Sequence, residues 1–137
     1  MPSGKTHTAI NVTSAIFILV IASFAHELCR PLFLYVVGFL FGTFFVNPDL
    51  DIWRSDVSKR WKFLRLYWYP YTLFFKHRGY SHNIIIGPVS RILYLLLPVF
   101  FFLHKIPHEI IKESLLVIFG IWLADFLHIV LDKIIKN

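Results

Sequence analysis

Long apolar runs separated by short polar breaks dominate the chain. Thr6 to Ala25 carries no formal charge and is interrupted only by His7. Pro31 to Pro48 is likewise uncharged, Ile84 to Leu103 is apolar apart from Arg91, and Ser114 to Leu131 is apolar apart from Asp125 and His128. Each run comes close to the ~20 residues a helix needs to cross a hydrocarbon core. The pattern predicts an all-α protein, a four-helix transmembrane bundle with spans near 6–25, 31–48, 84–103 and 114–132, forming one membrane-embedded domain over 1–137. The first run could pass for a signal peptide. No small-residue cleavage site precedes Arg30 and three further runs follow, so it reads as a retained span.

The one long connection, 49–83 between the second and third spans, is basic and aromatic. Val57, Trp61, Leu64 and Trp68 recur at helical spacing, with Ser58, Lys62, Arg65 and Tyr69 on another face. This predicts a short interfacial helix with rings in the head-group zone and cations over anionic lipid, ended or kinked by Pro70. A solvated basic loop is the plainer alternative. Stacking on single-stranded nucleic acid is not expected of a segment embedded in a membrane chain.

Composition sharpens the membrane reading. Of the 137 residues, 57% are hydrophobic and only 16% charged, against about 25% charged in a soluble domain. A single cysteine, Cys29, excludes a disulfide framework and any Cys-x-x-Cys metal site. The net charge of +6 calls for an acidic partner, and anionic lipid head groups are the economical one. With four spans, both termini and the long loop share a side. That side carries Lys5, Arg54, Lys59, Arg60, Lys62, Arg65, Lys76, Arg78, Lys133 and Lys136, whereas the other carries Arg30, Lys105 and Lys112. The positive-inside rule then expects a multi-pass protein of the inner (plasma) membrane, with the termini and the long loop cytoplasmic.

Placed on that topology, the candidate chemistry gathers at one end. His7 opens span one, Asp49 and Asp51 follow span two, His77 and His82 precede span three, and Asp125, His128 and Asp132 close span four. In an up-down-up-down bundle these four termini share one face. His26, His104 and His108 fall at the other end and are excluded.

Each motif has a plainer alternative. Asp125, His128 and Asp132 are spaced i, i+3, i+7 and share one helical stripe. An Asp at a span centre costs ~2.5–3.5 kcal/mol on insertion scales. A divalent cation would offset that cost, but so would a buried Asp–His hydrogen bond or a pair between Asp125 and Arg91. Pro48-Asp49-Leu50-Asp51 can turn two carboxylates toward one metal, or simply form a turn and helix cap. In His77-Arg78-Gly79-Tyr80-Ser81-His82 the glycine permits a bend that turns both rings inward. There Arg78 could clamp a phosphate and Ser81 could cap span three; the alternative is an interfacial loop with snorkelling cations. Imidazoles and carboxylates without thiolate suit zinc first, with manganese, iron or magnesium next, and the number of candidates allows one or two ions.

The run Ser3-Gly4-Lys5-Thr6-His7, Asn47-Pro48-Asp49-Leu50-Asp51, Arg60-Trp61, Tyr69-Pro70-Tyr71, His77-Arg78-Gly79-Tyr80-Ser81-His82 and the late Asp125, His128 and Asp132 resembles a bacterial family of uncharacterised metal-binding membrane proteins. That family is similar in motif to inner-membrane metal-dependent hydrolases and, more distantly, to zinc-dependent phospholipase C. The resemblance covers most of the chain and implies a metal site with His7, Asp49, Asp51, His77, His82, His128 and Asp132 as ligands. Asp125 is added from helix spacing alone. Zinc phospholipase C relatives are soluble and richer in His ligands, so their three-metal site is not carried over.

The resulting expectation is a metal-dependent hydrolase of a phosphoester, most naturally of a phosphorylated lipid. In it Asp51 or Asp125 acts as general base, and Arg78 with Lys76 binds phosphate. The rival expectation is non-catalytic: a metal carrier or transporter, or a bundle stapled by its metal that recruits a partner protein.

Overall fold

The computed structural model describes residues 4–24, 28–75, 79–101 and 106–134, which form helices and turns with no strand among them. The helices are α1 (Gly4–Phe24), α2 (Cys29–Phe45), α3 (Asp56–Arg60), α4 (Arg65–Phe74), α5 (Ile86–Phe100) and α6 (His108–Ile134), with single 3-10 turns at Pro48–Asp51, Lys62–Leu64 and Tyr80–His82.

Three segments, Thr6–Phe24, Cys29–Asp51 and His108–Ile134, are long and apolar enough to cross a membrane. The expected third span is shorter than the sequence pattern suggests. Helix α5 has 15 residues, about 22 Å at 1.5 Å per residue, against a hydrocarbon core of about 30 Å. The hydropathy of Ile84 and Ile85 belongs to a turn: Asn83 Oδ1 accepts from the backbone N–H groups of Ile85 and Ile86 at 2.9 and 3.0 Å and starts the helix only there. Among the described residues, then, three helices are long and apolar enough to span, and the expected third span corresponds to a shorter apolar helix, α5.

Helix α2 is the centre of the bundle, packed against α6 on one side and α1 on the other. Glycines set the α2–α6 spacing. A Cβ on Gly38 would stand 2.0 Å from the carbonyl oxygen of Val117, and one on Gly120 would stand 2.2 Å from that of Tyr35. Backbones touch because neither residue has a side chain, the small-residue contact by which membrane helices gain dispersion energy without a hydrophobic driving force. Around this contact lies a layer of Ala15, Val36, Phe39 and Ala124. Large apolar side chains on the outer faces, such as Phe17, Phe24 and Phe119, stay exposed, as expected of lipid-facing positions.

The basic aromatic connection folds back onto the bundle. Val57, Trp68 and Tyr71 join Val46, Leu50 and Ile121 in a second core. Trp68 is buried, so it is not the head-group anchor that the spacing predicted, and Tyr71 is buried beside it. The single interfacial helix is instead broken: α3 ends at Arg60, Lys62 takes a left-handed backbone (φ 51°), and α4 restarts at Arg65. Pro70 lies inside α4 and does not end it. The refolding has a physical reason. The C-terminal carbonyls of α2 have no intrahelical donor. Arg60 Nη1 donates to Phe44 O at 2.9 Å, and Trp61 Nε1 donates to Phe45 O at 2.8 Å. Phe63, Leu66 and Phe74 remain exposed on the outer side of this lobe.

Candidate metal centre

Four elements bring their polar residues to one end of the bundle. Helix α1 supplies His7 from its first turns, α6 supplies His128 and Asp132 from its last, the Pro48–Asp51 turn supplies Asp49, and the Tyr80–His82 turn supplies His82. The Asp132 carboxylate is the focus. His7 Nε2 lies 3.1 Å from its Oδ1, while His82 Nε2 and His128 Nε2 lie 3.3 and 3.8 Å from its Oδ2. His128 Nε2 is also 3.9 Å from Asp49 Oδ2. The rings of His7 and His128 stack with centroids 4.2 Å apart. One ligand atom each from His7, His128 and Asp132 falls within a mutual 4.8 Å.

These spacings fit a cation. Two ligands at about 2.05 Å in tetrahedral coordination stand about 3.3 Å apart, and slightly closer in octahedral coordination. Imidazole nitrogen with carboxylate oxygen is the donor set of zinc and its borderline neighbours. His7 and His128 are buried, the Asp132 side chain is 14% exposed and the Asp49 side chain 29%. The group is closed toward the bundle and open at Asp49.

Local structure explains why these side chains converge. Asn47 Oδ1 accepts from Asp49 N–H at 3.1 Å while its Nδ2 donates to Thr43 O at 3.0 Å, so the Pro48–Asp51 turn is fastened to the end of α2. Thr43 in turn accepts from Asn11 Nδ2 at 3.0 Å. Asn11 lies one turn beyond His7, so this bond fixes the rotation of α1 against α2.

Asp125 has a different role from the one its spacing predicted. Arg91 Nε donates to its Oδ2 at 2.8 Å and Arg91 Nη2 to its Oδ1 at 2.9 Å, both residues being buried. The bidentate pair engages both oxygens and answers the insertion cost of the carboxylate, which is the alternative the sequence offered, and it turns Asp125 toward Arg91. Arg91 Nη1 also donates to Ser81 Oγ at 2.7 Å. Ser81 is therefore not the cap of α5, a role taken by Asn83, but a link from the buried arginine to the turn that carries His82. Arg91 and Ser81 are the buried polar residues beside the site that sequence reasoning undervalued; a lone Arg inside an apolar run was the available signal.

Asp51 is buried in the Pro48–Asp51 turn. His77 and Arg78, with Lys76, lie outside the described residues.

Comparison with known proteins agrees with a metal site. The profile of a family described as "Uncharacterized metal-binding protein (DUF2227)" matches residues 2–117, a stretch that includes His7, Asp49, Asp51 and His82. A protein of Aquifex aeolicus (strain VF5), described only as "Uncharacterized protein", is 46% identical over 59 residues, covering 43% of this chain and 42% of that relative. No solved structure matches. The resemblance to metal-dependent hydrolases has no counterpart in these matches. With the profile spanning most of its length, the chain belongs to the DUF2227 family of uncharacterized metal-binding proteins.

Proposed function

We propose that the protein holds one or two divalent cations, zinc first, at one end of a membrane bundle and hydrolyses a phosphoester there. The observation that carries this reading is the approach of three imidazoles, His7, His82 and His128, to the single carboxylate of Asp132. A divalent cation bound among them would polarise a phosphoryl oxygen and lower the pKa of water. His7, His82, His128 and Asp132 would hold it, with Asp49 at the open edge completing or bridging the set. Asp51, buried in the same turn that carries Asp49, would take a proton from attacking water. The excess of Lys and Arg on the side shared by the termini and the long loop supports placing this end at the cytoplasmic leaflet of the plasma membrane.

Purified protein in detergent should contain stoichiometric metal by elemental analysis and cleave bis(p-nitrophenyl) phosphate. Asp132→Ala and His128→Ala should lose both. Full metal content in Asp132→Ala would sink the site assignment.

A non-catalytic reading has one observation of its own. His7 and Asp132 already meet at 3.1 Å and join α1 to α6, so an ion there would staple the bundle. Metal retained without hydrolysis of any phosphoester would favour that staple. Metal uptake into proteoliposomes would favour a carrier or transporter.

A further inference from the structure

A cleft of about 480 Å³ opens beside the centre, between the start of α1 and α3. It is lined by the apolar Ala9, Val12 and Val57 and by the polar Thr8, Asn47, Asp49, Asp56 and Arg60. The size is that of a small-molecule site. Two features show what would fit it.

The first is the cation. Arg60 is held in place by its Nη1 bond to Phe44 O and by lying over the Phe44 ring at 5.3 Å. A guanidinium has five N–H groups and only one is used in that bond, so others remain to meet phosphate oxygens. The neighbouring Asp56 also lines the cleft but is paired with Lys59 Nζ at 3.5 Å.

The second is the wall. Ala9 and Val12 belong to a helix apolar enough to span the membrane, near its polar end. A cleft that joins polar residues at Asp49 and Arg60 to apolar residues on a helix apolar enough to span matches a molecule with a charged head and a hydrocarbon tail.

We infer that this cleft seats a membrane lipid with a phosphate head group, the phosphate toward Arg60 and the metal centre, the acyl chain along Ala9 and Val12. The inference rests on the phosphoester reading above for the orientation of the head group. It gives Arg60 a phosphate-binding role alongside the one expected of Arg78, which lies outside the described residues.

The test uses the metal-loaded full chain in phosphatidylcholine nanodiscs, with dodecylphosphonate and methylphosphonate as probes. Their C–P bond is not a phosphoester, so binding is read apart from turnover. Native mass spectrometry should show dodecylphosphonate bound at least tenfold more tightly than methylphosphonate. Val12→Trp, which fills the wall, and Arg60→Gln should each weaken it at least tenfold with metal content unchanged. If Val12→Trp loses its metal, Ala9→Leu takes its place. Equal binding of the two probes, or wild-type binding by both variants, would overturn the inference. Tight tail-dependent binding with no hydrolysis of bis(p-nitrophenyl) phosphate would leave the lipid seat standing and remove the hydrolase; hydrolysis without tail-dependent binding would do the reverse.

Discussion

His7 Nε2 and Asp132 Oδ1 stand 3.1 Å apart although 125 positions separate the two residues in the chain. The contact joins the first turns of α1 to the last turns of α6. A cation bound there is linked to folding, because the unfolded chain has no such site. At a free ion concentration of 100 times Kd the stabilisation is about 2.7 kcal/mol. Thermal unfolding in detergent should therefore show a higher Tm with zinc than with EDTA. Asp132→Ala should unfold at the same temperature in both. A wild-type Tm indifferent to metal would contradict a site tied to the fold.

The buried Arg91–Asp125 pair makes a second prediction. Removing one partner of a buried pair leaves an uncompensated charge, at about 3–5 kcal/mol, whereas replacing both by apolar groups is often neutral. Arg91→Met should be strongly destabilising, and Arg91→Met with Asp125→Leu should recover most of the loss in a double-mutant cycle. The double variant also deprives Ser81 of its donor and frees the turn carrying His82. Metal affinity should then fall about 10–100-fold, as when a ligand's supporting hydrogen bonds are removed. Recovery of stability together with full metal affinity would show that the pair does not position His82.

A third prediction concerns the α2–α6 contact. A methyl on Gly38 would meet a backbone carbonyl at 2.0 Å, whereas on Gly42 the nearest atom, Ile121 Cα, is at 2.9 Å. Overpacking costs about 1–3 kcal/mol. Gly38→Ala should lower Tm more than Gly42→Ala and should also weaken metal binding, because separating the helices carries His128 away from Asp49. Calorimetric metal titration of both variants checks the order.

Tyr71, on α4 outside the spanning helices, gives a pH prediction. Burial raises its pKa above the ordinary 10; Arg91 and the Ser90 hydrogen bond partly oppose this, and Asp125 and Asp51 add to the rise. Tyr71 Oη and Ser90 Oγ are 2.9 Å apart. A raised folded pKa means that the neutral phenol contributes stability below the unfolded value, lost as pH rises through the folded one. Denaturation midpoints should fall above pH 10, and Tyr71→Phe should flatten that slope at a cost of about 1 kcal/mol at neutral pH. An unchanged slope would place the titration on another group.

Much of the fold was readable before any coordinates. The all-helical class follows from apolar runs too long for strands, and three of them match helices long and apolar enough to span a membrane. The run from Ile84 corresponds to a shorter helix than its hydropathy suggested, because hydropathy does not register Asn83, whose side chain starts α5 late and leaves it 15 residues. The lobe of Trp61, Trp68 and Tyr71 was misplaced for a related reason. Amphipathic spacing says that a face is apolar but not whether it meets lipid or protein, and the uncapped carbonyls of α2 that recruit Arg60 and Trp61 leave no trace in that pattern.

The sequence by itself determined a membrane-type helical chain whose polar residues return to one end, because alternate helix termini of an up-down bundle must coincide. Only the tertiary structure decided which of them meet. His7, His82, His128, Asp49 and Asp132 converge, while Asp125, on the same helical stripe, turns to Arg91. Spacing along a helix fixes a direction to within a face, but a bond is made only where another element brings a partner within about 3 Å, and that depends on the glycine contact, the Asn11–Thr43 bond and the Asn83 cap acting together.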